Sequence, residues 1–228
     1  MNNILKRRRR SIGAVDLWSN TKSIIFDGSD DKIELDEVTW GYGTLSLWFK
    51  TGEEDHIPLS IGTGQFVYLA NKMYVNWPKV DGYLTYNYSG YDDNSWHHLV
   101  ATFDASAAKM YYDGSLVETN TNLDTASTTD DLRIGVYGAS GMPYEGNLDE
   151  ISWWANTTLD AGAVEAIYNS GAPINLAADS GNYDNSGDLT NWWRMGDGDT
   201  YPTIQDQVGS LDGTMTNMTS GDIVTVTP

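Results

Sequence analysis

Apolar residues recur at every second position through most of this chain, the period of a strand with one buried face. Ile24 and Phe26 point one way, the polar run 27–31 supplies a turn, and Ile33 and Leu35 resume the alternation. Residues 44–51 repeat the pattern, with Leu45, Leu47 and Phe49 on one face and Ser46, Trp48 and Lys50 on the other. Short strands are predicted over 58–61, 65–70, 73–77 and 83–88, separated by Gly, Asn, Pro and Asp. Residues 96–103 and 109–112 form a further pair, and Asp113-Gly114 then supplies the residues that a two-residue type I′ turn needs. A polar loop is predicted over 119–131, with strands again at 132–137 and 147–154. One segment departs from period two. Between Asp160 and Asn169, the apolar residues Val164, Ile167 and Tyr168 recur at three and four, with Asp160 placed as N-cap and Gly171-Ala172-Pro173 ending the segment. The pattern is all-β with one short helix.

The order of these pieces carries a resemblance. SWHHLVATFDASAAKMYYDGSLV (95–117), GNLDEISWW (146–154) and the short helix follow one another as in the laminin-G-like and pentraxin-like branch of the concanavalin A-like lectin and glucanase superfamily. The opening SIIFDGSDDKIEL is similar to the start of the same jelly rolls. The resemblance implies a two-sheet antiparallel jelly-roll sandwich, the concanavalin A-like fold, over residues 20–175. It leaves function open, because this fold carries binding modules, enzymes and virion proteins alike. The tail 176–228 is unusual: NWWRMGDGDTYPTIQDQVGSLDGTMTNM resembles the segment that normally opens such a domain, yet follows the helix. Either its strands complete the same sandwich, as in a circular permutation, or they are exchanged with a neighbouring subunit.

Composition narrows the setting. The chain has 228 residues and no cysteine, which excludes disulfides, thiolate metal sites and a cysteine nucleophile. Extracellular animal members of the family usually carry a disulfide, so a microbial or viral chain is expected. The net charge is −19, unevenly spread: Lys6, Arg7, Arg8, Arg9 and Arg10 hold five of the thirteen basic residues, leaving 8 against 32 acids, or −24, for the remainder. Such a body repels nucleic acid, which could meet only the basic arm, residues 1–19. The arm reads as an anchor. The N-terminal charges have no apolar stretch behind them, so no secretion signal is read, and no segment approaches the roughly 20 apolar residues of a membrane span. A recognition fold with no route through a membrane fits a phage virion protein released by host lysis. The wording of the tail also resembles marine phage proteins. The expected role is a non-enzymatic virion component, a capsid decoration or a fibre or tail appendage. Its partners would be other virion proteins, further copies of itself and a cell-surface glycan. A free carbohydrate-binding module is the alternative.

Candidate chemistry is sparse. Retaining glucanases of this fold place alternating acids on one strand face; here Glu53, Glu54 and Asp55 are adjacent and face different ways, and Asp149-Glu150 belongs to the structural GNLDEISWW strand. His97 and His98 point to opposite sides and cannot share one ion. Calcium is the candidate cofactor: family members often hold one between the first and last long strands, which by position implicates Asp27 and Asp149. Trp77, Tyr83, Tyr86, Tyr88, Tyr91 and Tyr144 are candidates for a carbohydrate-binding surface or a subunit interface.

Overall fold

The computed structural model describes residues 18–88 and 90–228; the basic residues 6–10 of the predicted anchor lie outside them. The strands are β1 Ser23–Asp27, β2 Lys32–Trp40, β3 Gly43–Lys50, β4 His56–Ile61, β5 Gln65–Leu69, β6 Met73–Asn76, β7 Leu84–Tyr86 and β8 His97–Phe103. They continue with β9 Ala108–Tyr112, β10 Ser115–Asn120, β11 Thr128–Ile134, β12 Glu145–Ala155, β13 Asn191–Trp193, β14 Thr203–Ile204, β15 Gly213–Thr216 and β16 Ile223–Val224. Helix α1, Ala161–Tyr168, follows β12. Two antiparallel sheets result. The first runs β10-β9-β8-β3-β12-β1-β16, with β13 also paired to β12; the second runs β14-β15-β2-β11-β4-β5-β6-β7.

Register follows the hydrophobic alternation. Across the second sheet the paired residues Met215, Ile33, Ile134, Leu59, Val67, Val75 and Leu84 form one continuous apolar row facing the core. The neighbouring row, Thr214, Glu34, Arg133, Ser60, Phe66 and Asn76, faces away. A one-residue slip would exchange the two rows, so burial specifies the pairing. Ile24, Phe26, Leu45, Leu47, Phe49, Leu99, Ala101 and Phe103 meet the inward row from the first sheet. At one end, Trp40, Trp77, Trp153 and Phe103 interlock, with the Trp77 and Phe103 rings stacked at 4.5 Å.

Two local differences from the sequence pattern have physical causes. The predicted loop 119–131 is irregular at its centre but strand at both ends: β10 runs to Asn120, Thr128–Asp131 pair with Glu37–Trp40, and the Thr39 and Thr129 hydroxyls meet at 2.7 Å. Composition read as loop because this part of the sheet is wet, and wet strands tolerate Thr and Asp. On β3, the face carrying Ser46 and Trp48 is also buried. It is covered by α1 and the chain after it, through a second apolar cluster of Val100, Trp154, Val164, Ile167, Tyr183 and Trp192. Asp160 caps α1 by accepting from the Ala163 amide, and Asn169 ends it in the left-handed conformation. Val164 and Ile167 are fully covered, each contributing about 1.5–3 kcal/mol.

The tail is built into both sheets of the same chain. Ile223 and Val224 pair with β1, Gly213–Thr216 extend the second sheet through β2, and Asn191–Trp193 lie beside β12.

The β9–β10 turn also fixes a histidine. Asp113 and Gly114 have φ of 47° and 75°, the positive pair of a type I′ turn, and a Cβ at Gly114 would sit 2.8 Å from the Tyr168 ring. Asp113 accepts from the His98 amide and holds His97 Nδ1 at 2.9 Å, while Asp93 meets His97 Nε2 at 3.2 Å. Burial works against the imidazolium, but these two carboxylates outweigh it and raise the His97 pKa above its ordinary value. The stabilisation is therefore complete below the unfolded value, about 6.5, and is lost as pH rises through the folded value. Asp113→Asn keeps a residue suited to positive φ but removes the charge. It is expected to cost about 1–2 kcal/mol at pH 6 and less at pH 8.5. Urea unfolding at the two pH values measures this difference; an equal loss at both would exclude His97 titration as its source.

Candidate functional site

Three places in the sandwich collect chemistry: the buried acids of β12, an acidic cavity at the β1 end, and an aromatic face on the second sheet.

Strand β12 shifts register between Asp149 and Ser152, and Glu150 takes φ of 47°. This bulge lets two successive acids enter the interior. Asp149 accepts from Asn20 Nδ2 at 2.8 Å and from the Glu150 amide at 2.8 Å. Glu150 accepts from Trp192 Nε1 at 2.5 Å and Arg194 Nε at 3.3 Å. Burial pushes both carboxyls up; Glu150 also raises Asp149, and the Arg194 guanidinium opposes the rise at Glu150. The space beside Glu150 is about 10 Å³, room for at most one water and none for a sugar. Both acids are engaged by hydrogen bonds within the fold.

Position alone paired Asp149 with Asp27 as calcium ligands, and the structure does not bring them together. Asp27 is opposite Glu145 in the ladder, and Asp149 lies four residues further along β12, about 13 Å away. Asp149 is also fully covered and already engaged. The acids that do converge with Asp27 are Asp30 and Asp31, whose ligand oxygens lie within 4.8 Å of one another. Asp27 and Asp31 border a cavity of about 520 Å³ to which Glu53, Glu145 and Asp222 add further carboxylates. Glu145 lies over Gly28, where a Cβ would meet its Oε2 at 2.8 Å. Burial raises the Asp31 carboxyl, the Asp27 amide that it accepts from opposes this, and the charges of Asp27, Asp222 and Asp30 add to the rise. An all-oxygen set with uncompensated negative charge suits a hard divalent cation such as calcium. The signal missed in the sequence was Glu145, which becomes a neighbour of Asp27 only through the β1–β12 pairing.

The aromatic candidates divide. Trp77, Tyr91 and Tyr144 are core residues, 1%, 0% and 0% exposed, and offer no ring to a ligand. Trp77 Nε1 donates to the Gly41 carbonyl, the Tyr91 hydroxyl to Ala70, and the Tyr144 hydroxyl to the carbonyls of Lys50 and Asn147. A polar tip that finds a backbone partner allows complete burial, which composition cannot reveal. Tyr86 and Tyr88 stack on each other at 5.4 Å and lean on Tyr112, closing one side of the sandwich. Tyr83, 50% exposed, belongs to a different group.

That group lies on the outer face of the second sheet. Phe66 is at its centre, 6.3 Å from Tyr68, 6.3 Å from Tyr83 and 5.6 Å from Tyr137. Tyr74 stacks on its cross-strand partner Tyr68 at 5.7 Å and meets Tyr83 at 6.0 Å. Phe66, Tyr68, Tyr74 and Tyr137 are half-buried. Tyr68 donates to Asp55 Oδ1 at 2.9 Å, and burial with this carboxylate raises its phenol to about 12. The alternation of Phe66 and Tyr68 with the core residues Val67 and Leu69 was the readable signal.

The histidines serve packing. Burial lowers His98 to about 3, so it is neutral between Trp48 and Ser46, while His56 Nδ1 meets the Pro143 carbonyl at 2.7 Å.

Similarity to known proteins agrees with this architecture. A protein from Bacteroides ovatus, to which carbohydrate binding has been ascribed, superimposes with a TM-score of 0.64 at 15% identity, over 92% of this chain and 61% of that one. The chain thus spans less than two thirds of that protein's length. A heptameric SAP-like pentraxin from Limulus polyphemus superimposes with a TM-score of 0.52 at 14% identity, over 65% of this chain and 82% of that one. At these identities the likeness shows the fold alone. No curated protein sequence matches the chain. Residues 27–165 match the Laminin_G_3 family model, and the chain belongs to that family of the concanavalin A-like lectin/glucanases superfamily.

Proposed function

We propose that this chain is a non-enzymatic carbohydrate-recognition domain whose glycan rests on the rings of Phe66, Tyr68, Tyr74, Tyr83 and Tyr137. The observation that carries this reading is the contrast between the two outer faces. The first sheet hides its outward aromatics Trp48, Trp154 and Trp192 beneath α1 and the following chain. The second leaves a connected group of five rings partly open, edged by the Asp55 carboxylate. Apolar ring faces beside hydrogen-bonding tips suit the mixed surface of a sugar. Replacing Phe66 and Tyr74 together by alanine is expected to lower affinity for a glycan selected on an array by at least tenfold, with little change in melting temperature because both are half-exposed. Unchanged affinity would refute the site.

Calcium enters this reading as a structural ion at the β1 end, held by Asp27, Asp30 and Asp31, with Glu145 beside them. It would neutralise carboxylates that otherwise repel one another and so tie β1 to β12. A melting temperature raised by several degrees in 1 mM calcium, and not in Asp31→Asn, is the expected outcome. The same melting temperature in calcium and in chelator would exclude a structural ion.

The setting we infer is the outside of a phage virion, as a capsid decoration or a fibre or tail appendage. The charge split supports it: five basic residues at positions 6–10 precede a body of −24. Attraction of the arm to an acidic partner on the particle anchors the chain, and self-repulsion keeps the acidic body outward. Removing residues 1–10 should abolish co-sedimentation with virions while sparing glycan affinity. A free carbohydrate-binding module would show no co-sedimentation with or without the arm.

A further inference from the structure

The other end of β12 holds a second cavity, of about 340 Å³, opening beside Asn156 and Trp153. It is some ten residues, or about 30 Å, along the strand from the acidic one. Its wall contains Lys79. The residue is 7% exposed, its Nζ donates to the Thr125 carbonyl at 2.8 Å, and Nζ sits 4.5 Å from the centre of the Tyr42 ring. Among the described residues no carboxylate comes within 4.0 Å of this ammonium.

That absence is informative in this chain. Acids outnumber bases 32 to 13, so a lysine placed for charge pairing has abundant partners. A covered ammonium with one carbonyl, one ring and no carboxylate in direct contact retains unspent hydrogen-bonding capacity. Gly41 lies beside the lysine stem, a Cβ there falling in van der Waals contact, 3.5 Å, with Lys79 Cε. Tyr42, Ser127 and Asn156 add hydroxyl and amide groups to the same wall, and Trp153 adds an apolar edge. A concave site with one charge, a few polar groups and an aromatic floor is the usual form of a small-ligand pocket, and its volume lies at the lower end of the usual range.

We infer that this cavity binds the carboxylate of an acidic monosaccharide unit, with Lys79 as the anion contact and Tyr42, Ser127 and Asn156 on the sugar hydroxyls. The acidic body disfavours small free anions at long range. That repulsion is screened beyond about 8–10 Å at physiological salt, so a sugar that brings its own apolar and hydroxyl contacts can still enter. The site is separate from the Phe66 group and does not depend on it.

The probes are D-galacturonate, D-galactose and acetate, titrated against the full chain and followed by amide shifts of Ser127 and Asn156 and the Trp153 indole signal. Galacturonate should saturate these signals in the millimolar range, with galactose and acetate each at least tenfold weaker. Lys79→Met, which keeps the apolar stem, should remove the preference for galacturonate over galactose. Should that variant fail to fold, Asn156→Gly suits the backbone φ of 61° there and should weaken galacturonate at least threefold. Equal binding of galacturonate and galactose, acetate binding as tightly as galacturonate, or no shift at these residues would overturn the assignment. Loss of glycan binding in the Phe66 and Tyr74 variant leaves these outcomes unaffected.

Discussion

The fold depends on satisfying two carboxylates that β12 carries into the interior. A bulge at Glu150 sends Asp149 and Glu150 inward together, and an unpartnered pair there would be strongly destabilising. The groups that satisfy them come from opposite ends of the chain: Asn20 precedes the first strand, and Trp192 and Arg194 lie in the tail. Arg194 also donates to the Ser19 carbonyl, and Asp197 accepts from the Thr21 amide and hydroxyl, both at 2.6 Å. Because each member is incomplete without the others, the network links β1, β12 and the tail into one cooperative unit.

This linkage explains why the tail is part of the sandwich. One edge of β12 pairs with β3 along its length, whereas the other is divided between β1 before the bulge and β13 after it. The divided edge is where the two ends of the chain meet. Side-chain bonds across this junction add to the strand ladders that hold β1, β12 and β13 together. The junction ties the acidic cavity at one end of β12 and the Lys79 cavity at the other into the same packed unit as the second sheet.

The two sheets are used unequally. The outer face of the first is spent on stability, with α1 and the tail packed over Trp48, Trp154 and Trp192. The second remains open and carries the connected aromatic face. Trp77, Tyr91 and Tyr144 show how residues of the same chemical type become core when a backbone carbonyl takes the polar tip. Aromatic richness in the sequence therefore indicated that rings would be used in packing or binding, but could not assign each ring to one or the other.

Period-two alternation determined most of the strands, the faces of Ile24, Ile33, Leu45 and Leu47, and the Asp113-Gly114 hairpin, because these depend on neighbours a few residues apart. The same local information determined the Asp160 cap and the length of α1. Lack of an alternating acid strand, together with the adjacency of His97 and His98, was also legible, since neighbours on a strand face opposite ways. Tertiary structure alone decided that Glu145 joins Asp27 while Asp149 does not, because ladder register sets which distant carboxylates meet. It decided too that Phe66, Tyr68, Tyr74, Tyr83 and Tyr137 gather on one open face, and that Lys79 is covered with no carboxylate within 4.0 Å among the described residues. These are relations between strands far apart in the chain. They arise only when burial of one face of each sheet settles which rows lie side by side.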